Sequence, residues 1–282
     1  MDTFGRIVVG YDGSPEAAQA VRWAARHAGE RDCGLHVVHC SLWPELARDM
    51  GPVPGIANSG LRHSAETIVA EGVTIAREAA PGVEPITSLV YGWPAETLRK
   101  LSSTAVLLVL GSRGMGGFMG LLLGSVSLEL AGTAGCPVAV IRNAGQLGGP
   151  VVAGISDEGW ESVVGQAALF AALTGTNLRI IHVMGRAGSR SSRAEADARE
   201  TLASACRSAG NSWPDLIIED HLLSGSSVAG ALLGAAGNAQ ILVVGSSAHS
   251  TVRARLGSVT HAVLHHAVCP VLVARHGTGQ TG

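Results

Sequence analysis

Lysine is all but missing from this chain of 282 residues: Lys100 is the only one. A Walker phosphate loop ends its glycine run on a lysine, so a P-loop nucleotide hydrolase is excluded. Charge of either sign is sparse. Asp, Glu, Lys and Arg make up 15% of the residues, the formal net charge is −2, and no run of Lys or Arg occurs. That removes the electrostatic footprint of a binder of nucleic acid or of an anionic membrane. Aromatic residues are few, at 4%, and Trp23, Trp43, Trp93, Trp160 and Trp213 show no stacking period, which assigns them to the core or its rim. The five cysteines, Cys33, Cys40, Cys136, Cys206 and Cys269, are odd in number and form no CxxC pair, so neither a disulfide framework nor a zinc knuckle is expected. Long apolar runs are also lacking. The stretch from Leu222 to Val252 carries no Asp, Glu, Lys or Arg, but Ser, Gly, Asn238 and Gln240 cut it into pieces far shorter than the ~20 residues of a membrane span. No basic and apolar leader precedes Ile7, and the expectation is a cytoplasmic protein.

What the chain has in quantity is glycine, 38 residues, and apolar side chains, 46%, the composition of a protein built on buried sheets. It also repeats itself. Leu35-His36-Val37-Val38-His39 lies over Leu178-Arg179-Ile180-Ile181-His182, and Gly124-Ser125-Val126 through Cys136-Pro137-Val138 lies over Gly257-Ser258-Val259 through Cys269-Pro270-Val271. The copies differ by loop length, mainly where the first holds the Pro/Gly-rich stretch 44–60. The expectation is two domains, 1–144 and 150–282, joined at Gly145–Gly149.

Each copy alternates short β-branched runs with alanine-rich helical spacing, which reads as βαβ units and so as a parallel sheet with helices on both faces. Strands are expected at 7–10, 35–40, 83–90, 106–111 and 138–142, and again at 151–155, 178–184, 216–223, 241–245 and 271–275. Helix starts agree: Ser14-Pro15-Glu16 offers a cap and a first-turn proline, and Trp93-Pro94 opens another helix. Val21, Ala24, Ala25 and Ala28 give the first helix its apolar face.

The segment that carries chemistry is Gly111-Ser112-Arg113-Gly114, nine residues, then Gly124-Ser125, between the fourth strand and a helix. Open parallel sheets bind ligands beyond the carboxyl ends of their strands. Glycines there let backbone N–H groups approach an anion, the helix start adds a positive dipole end, and Arg113 adds a charge-assisted contact. A second glycine pattern, Gly277-Thr278-Gly279-Gln280-Thr281-Gly282, has no helix after it and is not a dinucleotide loop.

With Val8-Val9-Gly10-Tyr11-Asp12-Gly13-Ser14 at the first strand end, His39 closing the second, Gly92-x-Pro94, and G-x2-G-x9-G-S followed by Cys136-Pro137-Val138, the chain resembles the universal stress protein family, specifically its tandem-domain members, over nearly its whole length. The resemblance implies two Rossmann-like domains of the adenine nucleotide alpha hydrolase type, each a five-stranded parallel sheet, packed as an internal pseudo-dimer that a second copy of the chain can extend. It implies ATP, with Mg2+, held between the first and fourth strands of the first copy. Asp12 would then sit by the ribose or the metal-bridged phosphates and the backbone of Cys40 by adenine, with Gly10 also among the cofactor-binding residues. Gly111, Arg113, Gly114, Gly124, Ser125, Val126 and Ser127 would line ribose and phosphates. Met115 stands where related loops often carry a basic residue. The second copy departs further: Gly245-Ser246-Ser247-Ala248 lacks the second glycine, the spacer to Gly257 is one residue shorter, and whether Ser156 or Asp157 replaces Asp12 is open.

Other chemistries fit less well. Gly225-Ser226-Ser227-Val228-Ala229 lacks the last glycine of a hydrolase elbow. His261 and His265 have metal-ligand spacing on one helix face beside His266, but no nearby carboxylate completes a set, and an ordinary surface helix is the simpler reading. His39 and His182 read as packing or hydrogen-bonding residues at strand ends. Beyond Asp12 no base falls in the proposed loops, so ATP is expected as a regulatory ligand with at most slow hydrolysis, its occupancy signalled to a regulatory protein partner. The competing reading is a structural module whose final strands and apolar loop 118–123 mediate association.

Overall fold

The computed structural model describes residues 5–42, 59–114, 122–185, 191–246 and 256–275. Those residues fall into two compact units that divide between Arg142 and Asn143. In the first unit the order is β1 (Arg6–Gly10), α1 (Pro15–Glu30), β2 (Gly34–Ser41), α2 (Ser59–Ala79), β3 (Ile86–Tyr91), α3 (Pro94–Leu101), β4 (Leu107–Gly111), α4 (Ser125–Thr133) and β5 (Val138–Ile141). Its strands are all parallel and lie side by side as β3-β2-β1-β4-β5. Such strands must be covered on both faces. Accordingly Ile7, Val9, Leu108 and Val109 are fully buried in the central pair β1 and β4, whereas the edge strand β3 exposes Ile86, Thr87 and Tyr91.

Helix α1 forms where the sequence signals it. Ser14 is the N-cap and its hydroxyl accepts from the Ala17 N–H, Pro15 follows at the first helical position, and Val21, Ala24, Ala25 and Ala28 all face the core. Strand β3 begins at Ile86 rather than at Val83, because the Val83 N–H closes a turn onto Ala80 O and Pro85 has no N–H to give a ladder. Trp93, expected in the core or its rim, is 57% exposed at the start of α3. Trp43 and most of 44–60 and 118–123 lie outside the described residues.

The second unit repeats the plan: β6 (Val151–Ile155), α5 (Trp160–Thr174), β7 (Leu178–Gly185), α6 (Ser192–Ser212), β8 (Ile218–Gly225), α7 (Val228–Ala235), β9 (Ile241–Gly245), α8 (Ser258–His266) and β10 (Val271–Ala274). Its order is β8-β7-β6-β9-β10, again parallel. Ile180, Ile181, Ile241 and Leu242 are fully buried at its centre. No helix among the described residues is long and apolar enough to cross a membrane.

Candidate functional site

In the first unit the chain leaves β1 toward β2 on one side and β4 toward β5 on the other, so the two crossovers part between β1 and β4. A crevice must open at the carboxyl ends of such a pair. A cavity of about 700 Å³ lies there, and all ten residues singled out in the sequence line it: Gly10, Asp12, Cys40, Gly111, Arg113, Gly114, Gly124, Ser125, Val126 and Ser127.

The polar end is built from two turns. After β1, the Asp12 carboxylate accepts the Ser14 N–H through Oδ1 at 3.0 Å, while Oδ2 stands over Gly114, where any Cβ would collide with it. After β4, the Ser112 N–H donates to Ile141 O (2.8 Å) and the Gly124 N–H donates to Ser112 O (2.7 Å), which pins the two ends of the loop together. The Ser127 hydroxyl donates to Gly111 O at 2.7 Å, so its proton is committed to positioning the loop. Gly111 itself lies so close to α1 that a Cβ would come within 2.8 Å of the Ala17 N and the Glu16 carbonyl carbon.

Two helices therefore start at this crevice, and they differ. The first turn of α1 is capped by Ser14, whereas α4 starts at Gly124, which has no side chain to cap it. The start of α4 therefore presents its first-turn N–H groups and the positive end of its dipole without a side-chain cap. Arg113 is the only arginine among the described residues lining the cavity, and its Nη2 donates to Glu16 Oε1 at 2.5 Å. Arg142, just beyond β5, donates to Leu122 O at 2.9 Å, and burial, with the like charge of Arg113, pulls its guanidinium below the ordinary value. Glu16 and Arg142 do not line the cavity but stand beside Arg113, and nothing local in the sequence marks either as its neighbour.

The other end is apolar. Cys40 at the end of β2, Leu42, Ala65 and Ile68 of α2, and Leu98 of α3 form its walls. Burial pushes the Cys40 thiol up to about 11, against a smaller opposing effect of Thr97. The His39 Nδ1–H donates to Tyr11 O at 2.8 Å, which fixes the orientation of the ring. The Tyr11 ring is buried against Gly72 of α2, where a Cβ would meet it at 2.9 Å; burial, then the charges of Glu71 and Asp12, hold its phenol well above the usual range.

The second unit keeps the frame and changes the chemistry. The Gly257 N–H donates to Ser246 O (2.8 Å) and the Thr260 hydroxyl to Gly245 O (2.6 Å), matching Gly124 and Ser127. Gly10 pairs with Val38 and Gly154 with Ile181, so Ser156 falls at the position of Asp12. Its hydroxyl turns back to Glu158 O at 2.9 Å. Asp157 reaches His182 Nε2 at 2.8 Å instead. Ser247 and Ala248 lie outside the described residues. His261 and His265 lie with ring centres 4.6 Å apart, but among the described residues no group of three or more His, Cys, Asp or Glu gathers to hold a metal ion, and none of the five cysteines is in a disulfide.

Comparison with known proteins agrees with this frame. The model of the universal stress protein family matches twice, over residues 3–142 and 149–275. Universal stress protein Rv2005c of Mycobacterium tuberculosis is 33% identical, the match covering 95% of this chain and 96% of the relative. Universal stress protein Rv1996 of the same organism is 31% identical over 95% of this chain and 94% of its own. The crystal structure of a universal stress protein from Archaeoglobus fulgidus superposes with a TM-score of 0.71 at 20% identity, covering 96% of this chain and 98% of that one, a likeness of fold.

Proposed function

The chain belongs to the universal stress protein family, and we propose that its first unit binds ATP as a regulatory ligand. The observation that carries this reading is the cavity between β1 and β4, where ten residues of the nucleotide-loop pattern meet around about 700 Å³ of space, within the range of small-molecule sites. Phosphates lie beside Gly111, Gly114 and Gly124–Ser127, against the uncapped start of α4 and Arg113. Adenine lies toward the apolar walls, beside the backbone of Cys40. The fit is steric as well as electrostatic: at Gly114 a Cβ would fill the space beside Asp12 that a phosphate has to approach.

Asp12 is the one carboxylate among the described residues lining the cavity. Mg2+ would take a single protein ligand from it and the rest from phosphate oxygens and water, the usual manner for this ion. Bound there, the ion neutralises phosphate charge beside the carboxylate. Turnover is not the favoured use, because Asp12 Oδ1 is already engaged by the Ser14 N–H and no second carboxylate among the described residues faces the cavity as a base. In the second unit Ser156 stands for Asp12, which argues for one nucleotide per chain.

The test is mass spectrometry of denatured extract from purified protein, with calorimetric titration of ATP and Mg2+ into wild type and Gly114→Val. Adenine nucleotide in the extract and about one site per chain, lost in the variant, are the expected results. An empty extract and no heat from wild type would overturn the reading in favour of a structural module.

A further inference from the structure

We infer that Glu16 is a built-in competitor for the nucleotide phosphates, holding Arg113 until a phosphate displaces it; the inference rests on the nucleotide reading above. An arginine fork donates to carboxylate and phosphate oxygens with the same geometry, so a carboxylate within reach of the phosphate-facing arginine is a rival for it. In this structure Arg113 Nη2 is on Glu16 Oε1 at 2.5 Å, and the Glu16 side chain is the more buried of the two, 21% exposed against 51%.

Glu16 has little freedom to leave. Pro15 precedes it, Ser14 caps its helix, and the contact of Gly111 with the Glu16 and Ala17 backbone fixes its place relative to the loop. A carboxylate in the first turn also complements the dipole of α1. Arg113, by contrast, sits on an exposed loop residue near the like charge of Arg142, and needs an anion. Two anions are thus offered to one guanidinium: the fixed Glu16 and an incoming phosphate. When the phosphate wins, Glu16 is left close to it as an unpaired negative charge, so the cost rises with phosphate charge and falls when a divalent cation screens it. The pair therefore sets nucleotide affinity low and makes it depend on phosphate number and on metal, without touching the base.

A plain structural ion pair predicts something else: removing it would lower stability and weaken all ligands alike or none. The discriminating experiment is calorimetry on the full chain with adenosine, AMP and ATP, the last with and without Mg2+, for wild type, Glu16→Gln, and Glu30→Gln as a charge-matched control at the far end of α1. Glu16→Gln is expected to tighten ATP by roughly three- to tenfold, the size of a partly exposed ion pair plus the repulsion relieved. AMP gains less, adenosine is unmoved, and the gain for ATP is larger without Mg2+. Combining Glu16→Gln with Arg113→Gln removes most of the gain. Should Glu16→Gln fold poorly, Glu16→Asp keeps the charge at the helix start but falls one methylene short of Arg113, and a smaller tightening of ATP is expected. ATP affinity that is unchanged or weakened in these variants, or a gain shared equally by adenosine, overturns the competitor while leaving nucleotide binding intact. Failure of all three ligands to bind any variant overturns both.

Discussion

Asp12 Oδ2 occupies the space into which a Cβ at position 114 would project, so the acidic turn after β1 and the glycine loop after β4 share one small volume. A methyl group at 114 must push either the carboxylate or the loop. Gly114→Ala is therefore expected to act on nucleotide binding in the same way as Asp12→Asn: the affinity ratio for ATP with and without Mg2+ collapses toward one, with a loss of about tenfold in the presence of metal, roughly 1.4 kcal/mol. Isothermal titration of both variants with and without EDTA checks it. Metal dependence that survives in Gly114→Ala would separate the two residues.

Gly111 is a different kind of glycine. A Cβ there would meet the backbone of Glu16 and Ala17 at 2.8 Å, which cannot swing away, while at Gly124 the nearest atom would be 3.5 Å away, an ordinary contact. Gly111→Ala should cost about 1–3 kcal/mol of stability through overpacking, and Gly124→Ala well under ~1 kcal/mol. Urea unfolding of both variants beside wild type measures it. Equal midpoints for the two variants would refute the packing argument.

How much of this was legible follows from the range over which each signal acts. Strand positions and the cap at Ser14 are local, and the described residues reproduce them within a few positions. Boundaries slipped where a proline or a turn took the backbone bonds, as at Val83 to Pro85. The apolar wall was not legible, because Ala65 and Ile68 look like any core-facing pair on a helix until the fold brings α2 over β2. The pairing of Glu16 with Arg113 joins residues far apart in the chain, and no sequence period announces it. Choosing between Ser156 and Asp157 needed the strand register, since the loops differ in length.

Cys40 is expected to be a poor nucleophile in spite of lining a cavity. Burial pushes its thiol up to about 11, so at pH 8 the thiolate is far scarcer than for an unperturbed cysteine. Because the value is raised, reactivity should climb about tenfold per pH unit and level only near pH 11. Peptide-resolved alkylation with iodoacetamide between pH 7 and 10 measures it. Rapid labelling at pH 7, at the rate of a model thiol, would show that the apolar end of the cavity is open to water.

His27 should make the first unit sensitive to mild acid. The ring is buried in α1, 5.0 Å from the Trp23 ring, with Nδ1 3.1 Å from Glu30 Oε2. Burial holds its pKa below the ordinary 6.5, helped by Arg31 and only partly opposed by Glu30. Near and below pH 6.5 the unfolded chain binds a proton at this position and the folded chain does not, so stability falls as pH drops through 6.5 toward the lower folded value, by up to about 1.4 kcal/mol per pH unit. Above pH 7 both states are neutral here and the contribution is flat. His27→Leu removes the titration while keeping an apolar group against Trp23, so the difference in stability between wild type and variant should shift against wild type as pH falls from 7.5 to 5.5. Denaturant titrations at both pH values give that difference. A gap between the two proteins that stays constant with pH would mean that the folded state accommodates the charged ring, with the Glu30 pair outweighing burial.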